Sequence, residues 1–207
     1  MSEPLPPRHV RLRTDRLVLR RFTPADLPAV TALCGDPEVM RYIDDGRPVP
    51  PDRVADELLP SLLRAYADLP DGLGCWALEA GGRFLGWAAL HPPSSVGLEP
   101  ERRPDHLELG YRLRPAARGL GYATEAATAL VGAAFGERPG TERVVATTMT
   151  VNTASRRVLE RAGLRHVRTF SVDWPDPIPG SEHGDVVYAL TRAEWAGGTR
   201  RPAADTR

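Results

Sequence analysis

The stretch Leu107–Ala134, LELGYRLRPAARGLGYATEAATALVGAA, decides how the rest of the 207-residue chain is read. Residues 107–113 alternate apolar and polar side chains, the period of a half-buried strand. Residues 114–121 are rich in Arg and Gly and end that strand. From Tyr122 the chain becomes Ala-rich with helical spacing of its larger apolar residues, which predicts a long helix. Arg118-Gly119-Leu120-Gly121-Tyr122-Ala123 therefore sits where a helix N-terminus offers free N–H groups and a partial positive charge. The two glycines let the backbone approach a ligand closely. Strand, glycine turn and helix in this order form a grip for a phosphate.

Two common phosphate loops do not fit. A Walker A loop needs G-x-x-x-x-G-K-[ST], and Gly119-Leu120-Gly121 is followed by Tyr122, Ala123 and Thr124, with no Lys. A dinucleotide fingerprint needs a third glycine where Thr124 stands and an acidic residue ending the next strand, and residues 143–147 carry none.

Composition narrows the class further. Lys+Arg and Asp+Glu number 27 each, so there is no basic excess for a nucleic-acid partner, and none is expected. No apolar run approaches the roughly 20 residues of a membrane span. The start, MSEPLPPRHVRLR, lacks the apolar core of a signal peptide. No membrane partner and a cytoplasmic location are expected. Cys34 and Cys75 are too few and too isolated for a metal site or a disulfide framework, so no metal is expected.

Outward from the central stretch, Arg16–Arg20 reads as a first strand and Thr23-Pro24-Ala25-Asp26 as a helix start. Leu27, Val30 and Leu33 continue that helix and Gly35 can end it. Residues 36–43 suggest a short helical piece. Val54, Leu58, Leu62 and Tyr66 mark another helix, which Pro60 should kink or split. Residues 75–79 and 84–90 read as a hairpin around Ala80-Gly81-Gly82, with Trp76 and Trp87 in the core. Residues 91–105, rich in Pro and charge, read as a surface loop. Strands are expected at 143–149, 165–172 and 185–190, and a helix at 152–162 closed by Gly163.

Four segments in the right order resemble the GCN5-related N-acetyltransferase (GNAT) superfamily. Glu108-Leu109-Gly110-Tyr111 is similar to the strand motif of its ribosomal-protein N-terminal acetyltransferase branch. Arg118 to Ala126, RGLGYATEA, resembles the family's pyrophosphate loop. Asn152 to Leu164, NTASRRVLERAGL, is similar to the N-x-x-S-x-x-x-L-E-K-x-G-F signature. Thr14 to Arg20, TDRLVLR, also fits that branch. The resemblance implies an α+β fold: one mixed, mostly antiparallel central sheet flanked by helices, splayed between its two central strands. The domain would occupy residues 11–195, between a loose arm (1–10) and a loose tail (196–207).

The resemblance also implies acetyl-CoA as co-substrate. Its pantetheine would pair with backbone around Tyr111, Arg112 and Leu113. Its pyrophosphate would rest on Arg118, Gly119, Leu120, Gly121, Tyr122 and Ala123. Arg114 and Arg118 are either charge-assisted phosphate partners or solvated surface arginines. Asn152 and Ser155 are expected at the cofactor and in catalysis. Asn152 is also a plain helix N-cap, and the two roles can coexist. Ser155 reaches the pantetheine arm or bonds only its own backbone.

The reaction needs a base for the amine. Glu108 stands in an apolar strand with His106, Gly110 and Arg112 on its face, so it is the preferred base; a buried structural ion pair with Arg112 or an exposed edge strand is the alternative. His106 is a second base, and His166 is set aside. Many family members protonate the thiolate with a Tyr on the last helix, and residues 153–164 contain none. That leaves Ser155 or a water. Tyr111 and Tyr122 read as packing side chains. The acceptor, a small-molecule amine or a protein N-terminus, should meet the N-terminal helices and the 171–184 loop. There Asp173, Asp176 and Glu182 can attract a cationic amine and Trp174 can stack on it, or the loop is simply solvated. A homodimer is a further expectation. A non-catalytic acyl-CoA sensor is the rival to an N-acetyltransferase.

Overall fold

The computed structural model describes residues 10–173 and 176–199. One eight-stranded sheet runs in the order β1 (Val10–Arg13), β2 (Val18–Arg21), β3 (Gly74–Ala80), β4 (Arg83–His91), β5 (His106–Leu113), β6 (Arg143–Met149), β8 (Asp185–Thr191), β7 (Arg165–Phe170). Every neighbouring pair is antiparallel except β5 and β6. Gly81 and Gly82 form the two-residue turn between β3 and β4, with φ of 56° and 72°, the left-handed values a tight hairpin needs.

Helices cover both faces. Helix α5 (Tyr122–Gly136) and α6 (Thr153–Arg161) put Leu130, Val131, Phe135 and Leu159 against Leu19, Leu78, Leu90, Leu109, Val144 and Tyr188. The other face holds α1 (Leu27–Cys34), α2 (Pro37–Met40), α3 (Pro51–Arg53) and α4 (Leu59–Asp68), packing Val30, Leu33, Val54 and Leu59 onto Ala77, Trp87 and Ala89. Beside them Leu98, from the 91–105 connection, covers Val145 and Val187.

The break expected at Pro60 is a π-helical turn, Val54–Leu58, in which the Leu59 N–H reaches back to the Val54 carbonyl. Proline has no N–H to continue the ordinary ladder, and the widened turn absorbs the mismatch. Two elements lie beyond the expectations. Val10–Arg13 forms edge strand β1, and residues 192–199 form helix α7 (Arg192–Thr199), where a loose tail was expected from residue 196. Thr191 and Glu194 build a capping box: the Thr191 N–H donates to Glu194 at 2.9 Å, and the Glu194 N–H donates to the Thr191 hydroxyl at 3.3 Å.

The two central strands part company early. Pairing of β5 with β6 covers only His106 with Arg143, Leu107 with Val144 and Glu108 with Val145. Yet β5 stays on β4 as far as Leu113 with Gly86, and β6 stays on β8 as far as Met149 with Asp185. A wedge therefore opens after Glu108, and the facing backbone edges of residues 109–113 and 146–149 have no strand between them.

The α1 side is anchored by Arg20, which donates to Asp26 at 2.8 and 2.7 Å and to Glu79 at 2.8 Å. Burial would raise the Asp26 carboxyl, but the Arg20 guanidinium and the Thr23 N–H outweigh it and hold it below the usual carboxylate range. Its stabilisation is complete above the unfolded value near 3.9 and is lost as pH falls through the lower folded value. Thermal unfolding followed by circular dichroism should therefore give a steady Tm from pH 7 to about 5 and a falling one below about 4. Asp26→Asn should destabilise by about 3 kcal/mol at neutral pH, as for a broken buried pair, and should blunt that acid loss.

Candidate active site

The turn that opens α5 has the geometry of an anion cradle. Gly119 and Gly121 adopt φ of 74° and 83°. A Cβ at Gly119 would meet no protein atom within 4 Å, so the space above it is open. Among the described residues no acceptor meets the N–H groups of Gly119, Leu120, Gly121, Tyr122, Ala123 or Thr124. The Arg118 side chain donates to the Glu38 carbonyl at 3.1 Å, tying the turn to α2, and Arg114 is exposed.

A second chain segment holds this turn in place. Arg16 donates to Glu125 through Nε at 2.7 Å and through its backbone N–H at 3.0 Å, and Thr14 donates to the same carboxylate. Arg16 also donates to the Leu120 carbonyl at 2.9 Å and lies over the Tyr122 ring at 4.7 Å. Glu125 sits in the first turn of α5, where its charge also suits the helix dipole. Thr14-Asp15-Arg16 and Gly121-Tyr122-Ala123-Thr124-Glu125, two separate motifs in the sequence, are thus one bonded unit. Nothing in their spacing announces the contact, because 109 residues separate Arg16 from Glu125.

The wedge beyond Glu108 collects three more of the predicted residues. The Tyr111 hydroxyl crosses to α6, donating to the Ser155 carbonyl at 3.0 Å and lying 2.9 Å from Ser155 Oγ. Burial pushes this phenol up, against the pull of the Ser155 bond, so it stays protonated. Its hydroxyl makes Tyr111 more than the packing residue expected from the sequence. Asn152 caps α6, its Oδ1 accepting the Ser155 N–H at 3.2 Å. Leu113 closes onto the core. Arg112 points to the opposite face of β5, toward α1 and α2.

Glu108 is 5% exposed and is not paired with Arg112. Its carboxylate instead gathers the 91–105 connection: Oε2 accepts the N–H groups of Ser94 at 2.8 Å and Ser95 at 3.1 Å, and Oε1 accepts the Ser95 hydroxyl. His91 Nδ1 stands 4.0 Å away. The connection expected to be a surface loop is therefore pinned at both ends, since Arg168 bonds Glu101 at 2.9 Å and Leu98 is fully buried. His106 is buried, with Nδ1 3.0 Å from the Glu101 carbonyl, and His166 is an exposed ring on the outer strand β7.

The two walls expected around an acceptor do meet. Arg47 pairs with Asp176 at 2.8 Å, and Ile178 packs against Gly46. Pro37, Glu38, Arg41, Asp45, Ile178 and Pro179 line an open cleft of about 370 Å³ between them. Glu182 is turned back onto the Gly180 N–H at 2.8 Å. Trp174 lies outside the described residues. Among those residues no group of His, Cys, Asp and Glu is placed to hold a metal, and no helix is long and apolar enough to cross a membrane.

Known proteins resemble this chain in sequence and fold. Residues 16–165 match the family model of the acetyltransferase (GNAT) domain. The chain is 41% identical over 160 residues to FsC-acetyl coenzyme A-N(2)-transacetylase of Aspergillus fumigatus, covering 77% of this chain and 67% of that one. Among solved structures, the aminoglycoside acetyltransferase AAC(6')-Ib with paromomycin and acetyl-CoA superposes with a TM-score of 0.71 at 23% identity, covering 91% of this chain and 100% of that one. RimL, the ribosomal L7/L12 α-N-protein acetyltransferase in complex with coenzyme A, gives 0.70 at 16% identity over 88% and 97%.

The chain belongs to the GNAT acetyltransferase family. It is an acyltransferase, and its acyl donor is acetyl-CoA.

The cradle fits that donor: six unmet N–H groups at an uncapped helix start suit a pyrophosphate, and the unpaired β5 edge suits the amides of a pantetheine arm. Gly119→Ala tests the fit. The methyl collides with nothing in the protein, so only the left-handed φ strains it, by about 1–2 kcal/mol. The methyl also enters the space a phosphate needs. Calorimetry should give a CoA Kd at least tenfold weaker with a Tm drop of only a few degrees; an unchanged Kd would remove the cradle.

Proposed function

We propose that this protein acetylates a primary amine by direct attack of the amine on acetyl-CoA within a ternary complex. The observation that carries this reading is the wedge between β5 and β6, which opens beside the phosphate cradle and is flanked by Glu108 on one face and by Tyr111 and Ser155 on the other. The pyrophosphate rests on residues 118–123, the pantetheine runs along Tyr111, Arg112 and Leu113, and the thioester reaches Asn152 and Ser155.

The amine nitrogen forms its bond to the thioester carbonyl carbon, and the C–S bond breaks to release CoA thiolate. Glu108 accepts the amine proton through the Ser95 hydroxyl, which already donates to its carboxylate. The bonds from the Ser94 and Ser95 N–H groups and the Ser95 hydroxyl keep that carboxylate in place. A thiolate is a fair leaving group and departs without a strong acid, so the hydrogen bond it needs comes from Ser155 and its proton from water. Tyr111, with its phenol raised by burial, is too weak an acid to donate fully and instead fixes Ser155.

Two acceptor classes fit. The ribosomal-protein branch that Glu108-Leu109-Gly110-Tyr111 resembles favours a protein N-terminus. The 41% identity to an enzyme named an N(2)-transacetylase favours a small-molecule amine, and we place it first. The sensor alternative loses ground to that same relationship and to the intact Glu108 and Asn152. Two buried, unpaired thiols, Cys34 and Cys75, fit the reducing cytoplasm.

Thiol release from acetyl-CoA with a panel of amines tests the reaction. Turnover with at least one amine is expected; CoA binding with no turnover on any would favour the sensor. Glu108→Gln should lower kcat by a factor of about 10² or more and leave CoA affinity unchanged. Full activity in that variant would remove Glu108 as the base.

A further inference from the structure

Arg112 is a partly buried cation without an anion. Its guanidinium lies 3.5 Å from Cys34 Sγ and 3.4 Å from Met40 Sδ and stacks 4.6 Å over the Trp87 ring. Among the described residues no carboxylate comes within 4 Å of it. Both nearby thiols are pushed up by burial, against the pull of Arg112 itself, so neither Cys34 nor Cys75 supplies a negative charge. Sulfur is a weak acceptor, and the indole face satisfies charge but not N–H groups. The contrast within the molecule is sharp: Arg20, the other inward arginine of this face, is neutralised by both Asp26 and Glu79.

The position gives this cation a use. Arg112 shares its strand face with Glu108, four residues back and about 13 Å away along the strand. Gly110 lies between them, where no side chain fills the floor. Above Arg112 stand the ends of α1 and α2, and the cleft between residues 37–46 and 178–179 opens beside them. Asp44, whose charge also pushes the Cys34 thiol up, is exposed and makes no ion pair with Arg112.

We propose that Arg112 binds a carboxylate of the acceptor, and that the acceptor is therefore an amino-acid-like amine with its acid group free. The amine lies toward Glu108 and Ser95, the carboxylate toward Arg112, and the span between them is that of an amino acid or dipeptide. Asp45 in the cleft lining draws in a cationic amine, while the lone guanidinium disfavours a polycation deeper in. A guanidinium holds a carboxylate by two parallel N–H bonds, which a carboxamide cannot match in charge. This proposal rests on the acetyl-transfer reading only for the direction in which the amine faces.

The test separates the two. CoA-saturated protein is titrated by calorimetry with L-lysine, L-phenylalanine and glycylglycine, each beside its C-terminal amide. At least one free acid should bind tenfold or more tightly than its amide, about 1.4 kcal/mol. In Arg112→Met, which keeps a straight stem on Trp87, the preference should fall below twofold, and Arg112→Lys should restore part of it. Equal binding of every acid–amide pair, no binding of any acid, or a preference that survives in Arg112→Met would each overturn the proposal. The wild-type comparison decides even if the variant does not fold. Thiol release on the same pairs reports on the reaction separately: an acid that binds through Arg112 and is not acetylated keeps the anion site and counts against acetyl transfer to it.

Discussion

A parallel pair of strands that agree for three residues and then separate governs the rest of this molecule. Backbone N–H and C=O groups inside a protein need partners. When β6 leaves β5 after Glu108 and Val145, the edge of residues 109–113 loses a strand that would have met its hydrogen bonds. The outer pairings hold, so the wedge cannot close by sliding one strand over: β5 is fixed to β4 and β6 to β8. The sheet carries a permanent slot whose walls are backbone, and an extended amide-bearing ligand is the partner that matches it.

Each end of the slot is finished by a charge placed for a purpose. At the outer end the turn leading into α5 presents six N–H groups that no acceptor meets among the described residues, and the glycines there keep side chains out of the way. The turn is precise because it is bonded from outside: Glu125 binds Thr14 and Arg16, and Arg16 also grips the Leu120 carbonyl. At the inner end Glu108 holds the 91–105 connection through Ser94 and Ser95. This carboxylate is a structural hub, and under the proposed reaction the same Ser95 hydroxyl would pass it the amine proton. Under the proposed reaction proximity would supply much of the rate, with the slot holding the thioester in line before any acid or base acts.

Much of this was legible in the sequence because it rests on local pattern. Period-2 alternation placed β5, the Ala80-Gly81-Gly82 hairpin signal placed β3 and β4, β-rich residues placed β6, and Gly119-Leu120-Gly121 ahead of an Ala-rich run placed the cradle. Strand β1 was hidden because VRLR abuts a Pro-rich start and is an edge strand, with only one neighbour to demand apolar residues. Helix α7 was hidden by Gly197 and Gly198, each costing roughly 1 kcal/mol in a helix. Yet Thr191-Arg192-Ala193-Glu194 carried its capping box, and Trp195 against Phe135 at 5.4 Å docks it. What no local pattern holds is contact across the chain: Arg16 with Glu125, Glu108 with Ser94 and Ser95, and Arg112 left among sulfurs and an indole. The first two look like surface charge and an unpaired strand acid until the fold brings their partners. The third was the alternative counter-ion for Glu108; the two share a strand face but stand about 13 Å apart along it, and Arg112 meets α1 and α2 instead.

The central claim is that the β5 edge and the α5 turn together receive the cofactor. Amide hydrogen exchange with and without CoA tests it residue by residue. The account predicts slowed exchange at residues 109–113 and 119–124 on adding CoA, with β8, buried and fully paired, unchanged. CoA binding that slows exchange elsewhere and leaves both of those segments as they were would contradict it.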